Sequence, residues 1–307
     1  MTTTNRSREE WLYARRQAIG SSDAPAVVLG SLAHAQPDLA KAKGVFRTPL
    51  HVYLDKRGVY RDGGESPAMR WGRRLEQVVA EAFVEETGLR ITPCTNAITR
   101  HPQRPWMAAT PDYLVDQGQA LLEVKTTGSA AGWGPSGSDE YPEGYLVQVL
   151  HQMECTGCPL GYLAVLIGGS DFRWYTVADQ PELRARIVAI ERDFWDRVES
   201  GNPPEADWSH PDTPELIARL HRPEPDQSIE LGRAGATLAE EYDRIGQELA
   251  RLELSRARVK GQLIQAMGHA SQGILPDGRV VLRKVVQRKA YTVEATAFET
   301  LRIRGKR

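Results

Sequence analysis

No apolar run in the chain approaches the roughly 20 residues needed to span a bilayer, and the opening MTTTNRSREEW lacks the hydrophobic stretch of a secretory signal. The sequence therefore reads as that of a cytoplasmic protein (host cytoplasm if phage-encoded) with no membrane partner. Cysteine is scarce too: Cys94, Cys155 and Cys158 are too few, and odd in number, for a disulfide framework, which fits a reducing compartment. Net charge is nearly absent. The 39 Lys and Arg and 40 Asp and Glu leave −1, so no global basic field draws the protein to polyanions. That average conceals an asymmetry, because residues 279–307 carry nine Lys or Arg against Glu294 and Glu299, or +7, leaving −8 for the remainder. The chain also lacks a G-x-x-x-x-G-K-[ST] loop and any H-E-x-x-H spacing, which argues against NTP-driven chemistry and a zincin site. What is present, 41% hydrophobic and 26% charged residues over 307 positions, has room for one large domain and an accessory piece.

Two regimes follow along the chain. Residues 1–205 mix helical and strand patterns and read as the principal domain; 206–227, rich in Pro and polar residues, read as a linker; 228–307 form an extension. In the first regime SPAMRWGRRLEQVVAEAFVEETG (66–88) predicts a helix, with Ser66 as N-cap, Pro67 at the first turn and Gly88 as the stop. Its expected buried stripe is Met69, Leu75, Val78, Val79, Ala82 and Phe83, with Glu76 at the margin. A hairpin at 110–128, a helix at 143–157, two strands in GYLAVLIGG and FRWYTVA, and a helix at 181–199 complete the α, β-hairpin, α, β-hairpin, α order. That order predicts an α/β (α+β) fold with a mixed sheet flanked by helices. In the extension, Leu238, Tyr242, Ile245, Leu249, Leu252, Val259, Leu263 and Ala266 recur at alternating steps of four and three, with Arg256 at the one interrupted position. This heptad-like helix ends near Gly268, and a hairpin turns at Asp277-Gly278.

The hairpin TPDYLVDQGQALLEVKTTG (110–128) raises a chemical question. A two-residue turn at Gln117-Gly118 pairs Leu114 with Leu121 and Asp112 with Glu123, setting two carboxylates face to face, which destabilises a sheet. Period two places Lys125 on the same face as Glu123. One ammonium beside two carboxylates leaves the site negative, and a divalent cation bound by oxygen removes the conflict. The alternative is an exposed hairpin with solvated charges.

Asp112, Glu123-Val124-Lys125, Glu76 in GRRLEQ and Gln148 in YLVQVLHQM together resemble the motif set of the PD-(D/E)XK nucleases in their phage form, the lambda exonuclease and YqaJ-like viral recombinase family. IGSSDAPAVVLG (19–30) and TPLHVYLDKRG (48–58) resemble the segments that open that family, so the likeness covers about residues 11–198. The resemblance implies a restriction-endonuclease-like core. It also implies a metal site of Asp112, Glu123, the Val124 carbonyl and Glu76, binding Mg2+ or alternatively Mn2+, with Lys125 and Gln148 catalytic. Tyr145 and Gln152, on one helix face with Gln148, are candidates for DNA contact. Arg15, seven residues before Ser22, resembles the family's pocket for a terminal 5′-phosphate, with Ser21 beside it; the competing reading is a plain helix cap.

The implied activity is metal-dependent exonucleolysis of linear double-stranded DNA ends, 5′→3′, leaving 3′ single strands for recombination. An endonuclease on the same fold and a non-catalytic DNA-binding scaffold are the alternatives. A single-strand-annealing protein and a homotrimer are the implied partners. Cys155-x-x-Cys158 with Cys94 is one ligand short of the four that hold an iron–sulfur cluster, so no cluster is expected. The heptad helix is read either as an assembly element or as packing on its own domain, and the basic tail as a contact for DNA phosphates or a solvated end.

Overall fold

In the computed structural model, which describes residues 13–33, 35–60, 66–94 and 98–287, the chain divides into two compact units, Met1–Arg222 and Pro223–Arg307. The first opens with β1 (Ile19–Gly20), α1 (Ala24–Ala33), a 3-10 turn (Pro37–Lys41) and α2 (Pro49–Lys56). Helix α3 (Pro67–Thr87) then precedes three short strands, β2 (Ile91–Pro93), β3 (Thr99–Arg100) and β4 (Met107–Ala109). The hairpin β5 (Tyr113–Val115) and β6 (Ala120–Thr127) leads to α4 (Glu143–Thr156), which feeds a second hairpin of β7 (Leu160–Ile167) and β8 (Asp171–Ala178). Two helices, α5 (Pro181–Ser200) and α6 (Thr213–Leu220), close the unit.

The main sheet runs β2-β5-β6-β7-β8, with β6 and β7 parallel and its other neighbours antiparallel, so it is mixed as expected. One face packs Val149, Leu150 and Met153 of α4 and Ala24 and Val28 of α1 against Leu121, Leu163 and Tyr175. The other packs Val79, Ala80 and Phe83 of α3 against Leu122, Val124 and Ala164. Phe83 is fully buried, worth about 1.5–3 kcal/mol relative to exposure. A second, small sheet, β1-β4-β3, sits with α2 and the far end of α5 around Ile19, Leu54, Met107 and Phe194. Strands of two or three residues are too short to show period two, which is why the sequence pattern missed β1 to β4.

Helix α3 starts and stops where its caps dictate: Ser66 Oγ accepts the Met69 N–H at 3.1 Å, and Gly88 takes a left-handed φ of 70°. Its expected stripe needs correction. The contact face is centred on Val79, Ala80 and Phe83, which turns Val78 out to 54% exposure and leaves Met69 beyond the apolar cluster at 62%. At the N-terminus of α4, Gly144 lies against the backbone of Gly44; a Cβ there would stand 2.6 Å from the Gly44 carbonyl. Lower on α4, His151 Nδ1 meets Glu191 Oε1 at 2.7 Å and Nε2 meets the Ala108 carbonyl at 3.0 Å. Burial opposes a charge on this ring, but Glu191 outweighs it and holds His151 well above the usual histidine range, as an imidazolium clamp joining α4, α5 and β4.

The segment 206–227 contains α6, with Leu216 in the apolar cluster around α2 and Thr213 fully buried. The Pro-rich composition misled because the burial rests on two side chains rather than a stripe. In the second unit, α7 (Gly232–Met267) is one 36-residue helix, followed by the hairpin β9 (Gln272–Ile274) and β10 (Val280–Leu282). The basic tail from Arg288 onward lies outside the described residues.

Candidate active site

The β5–β6 register is that of a two-residue turn: Tyr113 opposite Leu122, Leu114 opposite Leu121, Val115 opposite Ala120. Gln117 and Gly118 both take positive φ, 63° and 95°, as a tight hairpin turn requires. The ladder stops at Tyr113. Beyond it β6 has a strand on one side only, and Asp112 Oδ2 accepts the Val124 N–H at 2.7 Å in place of a strand partner.

Glu123, 3% exposed, is held by three donors. Oε1 accepts from Lys125 Nζ and from Gln148 Nε2 at 2.6 Å, while Oε2 accepts from Gln152 Nε2 at 2.7 Å. The ammonium also lies 5.1 Å from the Tyr145 ring centroid, and Tyr145 stacks on Trp133. Gln148 is thus bonded directly to the Glu123 carboxylate. Gln152, expected to contact DNA, is instead fully buried beneath Glu123 and donates its amide N–H to Glu123 Oε2. Its Oε1 is buried without a hydrogen-bond partner.

The third acid, Glu76, lies on α3, the helix packed on the opposite face of the sheet. Burial raises the Glu76 carboxyl above its ordinary range, Glu123 raises it further, and Lys125 and Arg73 oppose. Burial, Glu123 and Glu76 likewise raise Asp112 well above its ordinary range, against Lys125 and the Val124 N–H. Lys125 is pushed down by burial, but Glu123 and Asp112 outweigh this and hold it as an ammonium. Glu76 and Asp112 thus each feel the charge of Glu123 and of Lys125, three carboxyl groups to one amine. That excess, with the Val124 carbonyl nearby, is a hard-oxygen donor set that fits Mg2+ or Mn2+.

The fit is an open one. Among the described residues, the one triple of His, Cys, Asp or Glu ligand atoms within 4.8 Å of one another is His51, His210 and Asp212, so the three acids form no closed cage. In the histidine triple one ring nitrogen of each histidine is already engaged: His51 Nδ1 accepts the Thr48 N–H at 3.1 Å and His210 Nδ1 accepts the Asp212 N–H at 3.2 Å. His51 Nε2 instead faces Asp212 Oδ2 at 3.4 Å, pinning the start of α6 to α2.

The N-terminal pocket is richer than its sequence signal. Arg15 donates to Ser22 Oγ at 3.0 Å. Beneath them lies Asp23, fully buried, which accepts from Lys56 Nζ at 2.6 Å, Arg47 Nη1 at 3.1 Å and the Gly20 N–H at 3.1 Å. Asp23, Arg47 and Lys56 went unassigned in the sequence, although all three fall within or beside the two opening segments. Ser21 is a correction: at 7% exposure it turns inward, and Ser22 alone of the pair presents its hydroxyl outward.

A model described as the YqaJ-like viral recombinase domain matches residues 10–159. The uncharacterized protein YqaJ of Bacillus subtilis (strain 168) is 32% identical over 290 residues, spanning 93% of this chain and 86% of that protein. The chain belongs to the YqaJ-like viral recombinase family. Two crystal structures are more distantly similar. An alkaline exonuclease from Laribacter hongkongensis (LHK-Exo) shares 20% identity, with 63% of this chain and 94% of that one covered and a TM-score of 0.49. A phage-related exonuclease from Haemophilus somnus 129PT shares 13%, with 60% and 96% covered and a TM-score of 0.43. The YqaJ-like match spans both the acidic centre and the Arg15–Ser22 pocket. The chain's mixed sheet carries an acid before β5 and a Glu-Val-Lys on β6. No helix among the described residues is long and apolar enough to cross a membrane.

Proposed function

We propose that the protein is a divalent-metal-dependent deoxyribonuclease that shortens linear double-stranded DNA from its ends, 5′→3′, releasing 5′-phosphorylated mononucleotides and leaving a 3′ single strand for annealing. The observation that carries this is the geometry where β5 leaves β6: Asp112 caps the Val124 N–H, Lys125 and Gln148 converge on Glu123, and Glu76 lies within electrostatic reach. Asp112, Glu123 and the Val124 carbonyl would hold Mg2+, or Mn2+, with Glu76 acting through water. Such an ion polarises the scissile phosphate and makes water nucleophilic at neutral pH. Lys125 supplies a placed positive charge where phosphate charge develops, and Glu123 and Tyr145 fix its direction. Gln148 and Gln152 orient Glu123 without competing for charge. The test is end-labelled linear duplex against closed circular DNA, with Mg2+ and with EDTA. Mononucleotide release from linear DNA alone, abolished by EDTA, is expected. Cleavage of the circle would make it an endonuclease, and binding without product in either buffer would leave a scaffold.

Polarity rests on the Arg15–Ser22 pair. Ser22 stands two residues before α1, which packs on α4, so a phosphate bound there would sit on the same helical layer as Gln148. A guanidinium fork and a hydroxyl suit a phosphate dianion. We expect 5′-phosphorylated ends to be cut about tenfold faster than 5′-hydroxyl ends, a difference of ~1.4 kcal/mol, and Arg15→Gln to remove that preference. Equal initial rates on the two wild-type substrates would leave the pocket without this role.

A further inference from the structure

The feature the nuclease reading leaves unused is α7. From Leu238 to Leu263 its apolar stripe is 41–70% exposed, and none of its 36 residues is buried. A single helix carrying such a stripe needs a packing partner to be stable in water. The charge along it says which. Residues 238–253 hold Glu240, Glu241, Asp243, Glu248 and Glu253 against Arg244 and Arg251, a net −3; residues 254–267 hold Arg256, Arg258 and Lys260 with no acid, a net +3.

We propose that α7 pairs antiparallel with the α7 of a second copy of this chain. Reversal lays the acidic half of each helix along the basic half of the other. It also keeps the alternating steps of four and three in phase. Tyr242 then meets Ala266 of the partner subunit, Ile245 meets Leu263 of the partner subunit, and Leu249 meets Val259 of the partner subunit. The interrupted position is accommodated as well, since Arg256 falls across from Leu252 of the partner subunit and beside Glu253 of the partner subunit. A parallel pair would instead stack Arg256 on its own copy and set acid against acid, like charges that cost stability. The pairing is independent of the nuclease chemistry.

The test uses full-length protein and disulfide trapping. A mixture of Tyr242→Cys and Ala266→Cys proteins should give a heterotypic cross-link under mild oxidation, while Ala266→Cys alone should give little above the wild-type background set by the native cysteines. Self-cross-linking of Ala266→Cys at the yield of the mixture means parallel pairing, and absence of the heterotypic product at tens of micromolar protein means that something else covers the stripe; either overturns the proposal. Charge reversal gives a second reading by circular dichroism and sedimentation. Glu240→Lys/Glu241→Lys/Glu248→Lys and Arg256→Glu/Arg258→Glu/Lys260→Glu should each self-associate at least tenfold more weakly than wild type. Mixing the two should restore association; no restoration refutes the antiparallel arrangement.

Discussion

Asp112→Asn is expected to lose at least about 10³-fold in DNA hydrolysis, ~4 kcal/mol of transition-state stabilisation, while melting at a higher temperature than wild type in EDTA. The two effects have one cause. Asparagine keeps an oxygen to accept the Val124 N–H, so the end of the hairpin stays closed. What it removes is a carboxylate whose ionisation the fold disfavours, through burial first and then through Glu123 and Glu76. An acid whose folded pKa is raised costs the native state stability above that pKa and costs nothing once pH falls below its ordinary value. Metal-free wild type should therefore recover this contribution on mild acidification, and Asp112→Asn should not. A cation supplies the missing counter-charge: at a hundredfold excess over Kd it adds about 2.7 kcal/mol, roughly 5–10 °C for a domain of this size. Thermal melts with Ca2+, which binds without requiring turnover, should show that rise in wild type and lose most of it in Asp112→Asn. A variant that hydrolyses DNA at the wild-type rate, or that responds fully to the ion, would remove Asp112 from the centre.

The acidic centre was legible because its signals are local. Ser66, Pro67 and Gly88 fix α3, a Gln-Gly turn fixes the β5–β6 register, and helical spacing puts Gln148 and Gln152 on one face. What spacing could not say is how deep that face lies. Gln152 is as polar as Gln148 and one turn away, yet the packing of α4 against β6 places both under Glu123 and gives neither to solvent. The N-terminal pocket was half legible for a different reason. Arg15 and Ser22 announce themselves as phosphate chemistry, but Asp23, Arg47 and Lys56 meet only because α1 and α2 pack together, and no periodicity records a contact between residues 33 apart. The heptad of α7 is the reverse case: the pattern is plain in sequence, and its stripe stays exposed among the described residues.

Asp23→Ala is expected to destabilise the protein by about 3–5 kcal/mol, the cost of leaving a buried charge unpaired, out of a total that for most domains is only about 5–15 kcal/mol. Burial by itself would push the Asp23 carboxyl upward, but Lys56, Arg15 and Arg47 together outweigh it and hold the group well below the usual aspartate range. Removing it strands the Lys56 ammonium, whose side chain has no solvent exposure and whose other hydrogen bond among the described residues is to the Arg15 carbonyl at 3.0 Å. The double variant Asp23→Ala/Lys56→Met should recover more than half of the loss, because deleting both charges avoids the unpaired one. The pH dependence runs opposite to that of Asp112: a carboxylate with a depressed folded pKa stabilises above its ordinary value and loses that contribution as pH falls. Between pH 5 and pH 2 wild type should thus lose more stability than the double variant does, in urea titrations at each pH. Melting of Asp23→Ala within a degree or two of wild type would show that the cluster is solvated in solution. The double variant also separates support from recognition. Asp23 lies 3.8 Å from the Arg15 guanidinium that reaches Ser22, so a refolded pocket without Asp23 should still discriminate poorly between phosphorylated and hydroxyl 5′ ends, because the fork that grips the phosphate has lost the anion that aims it.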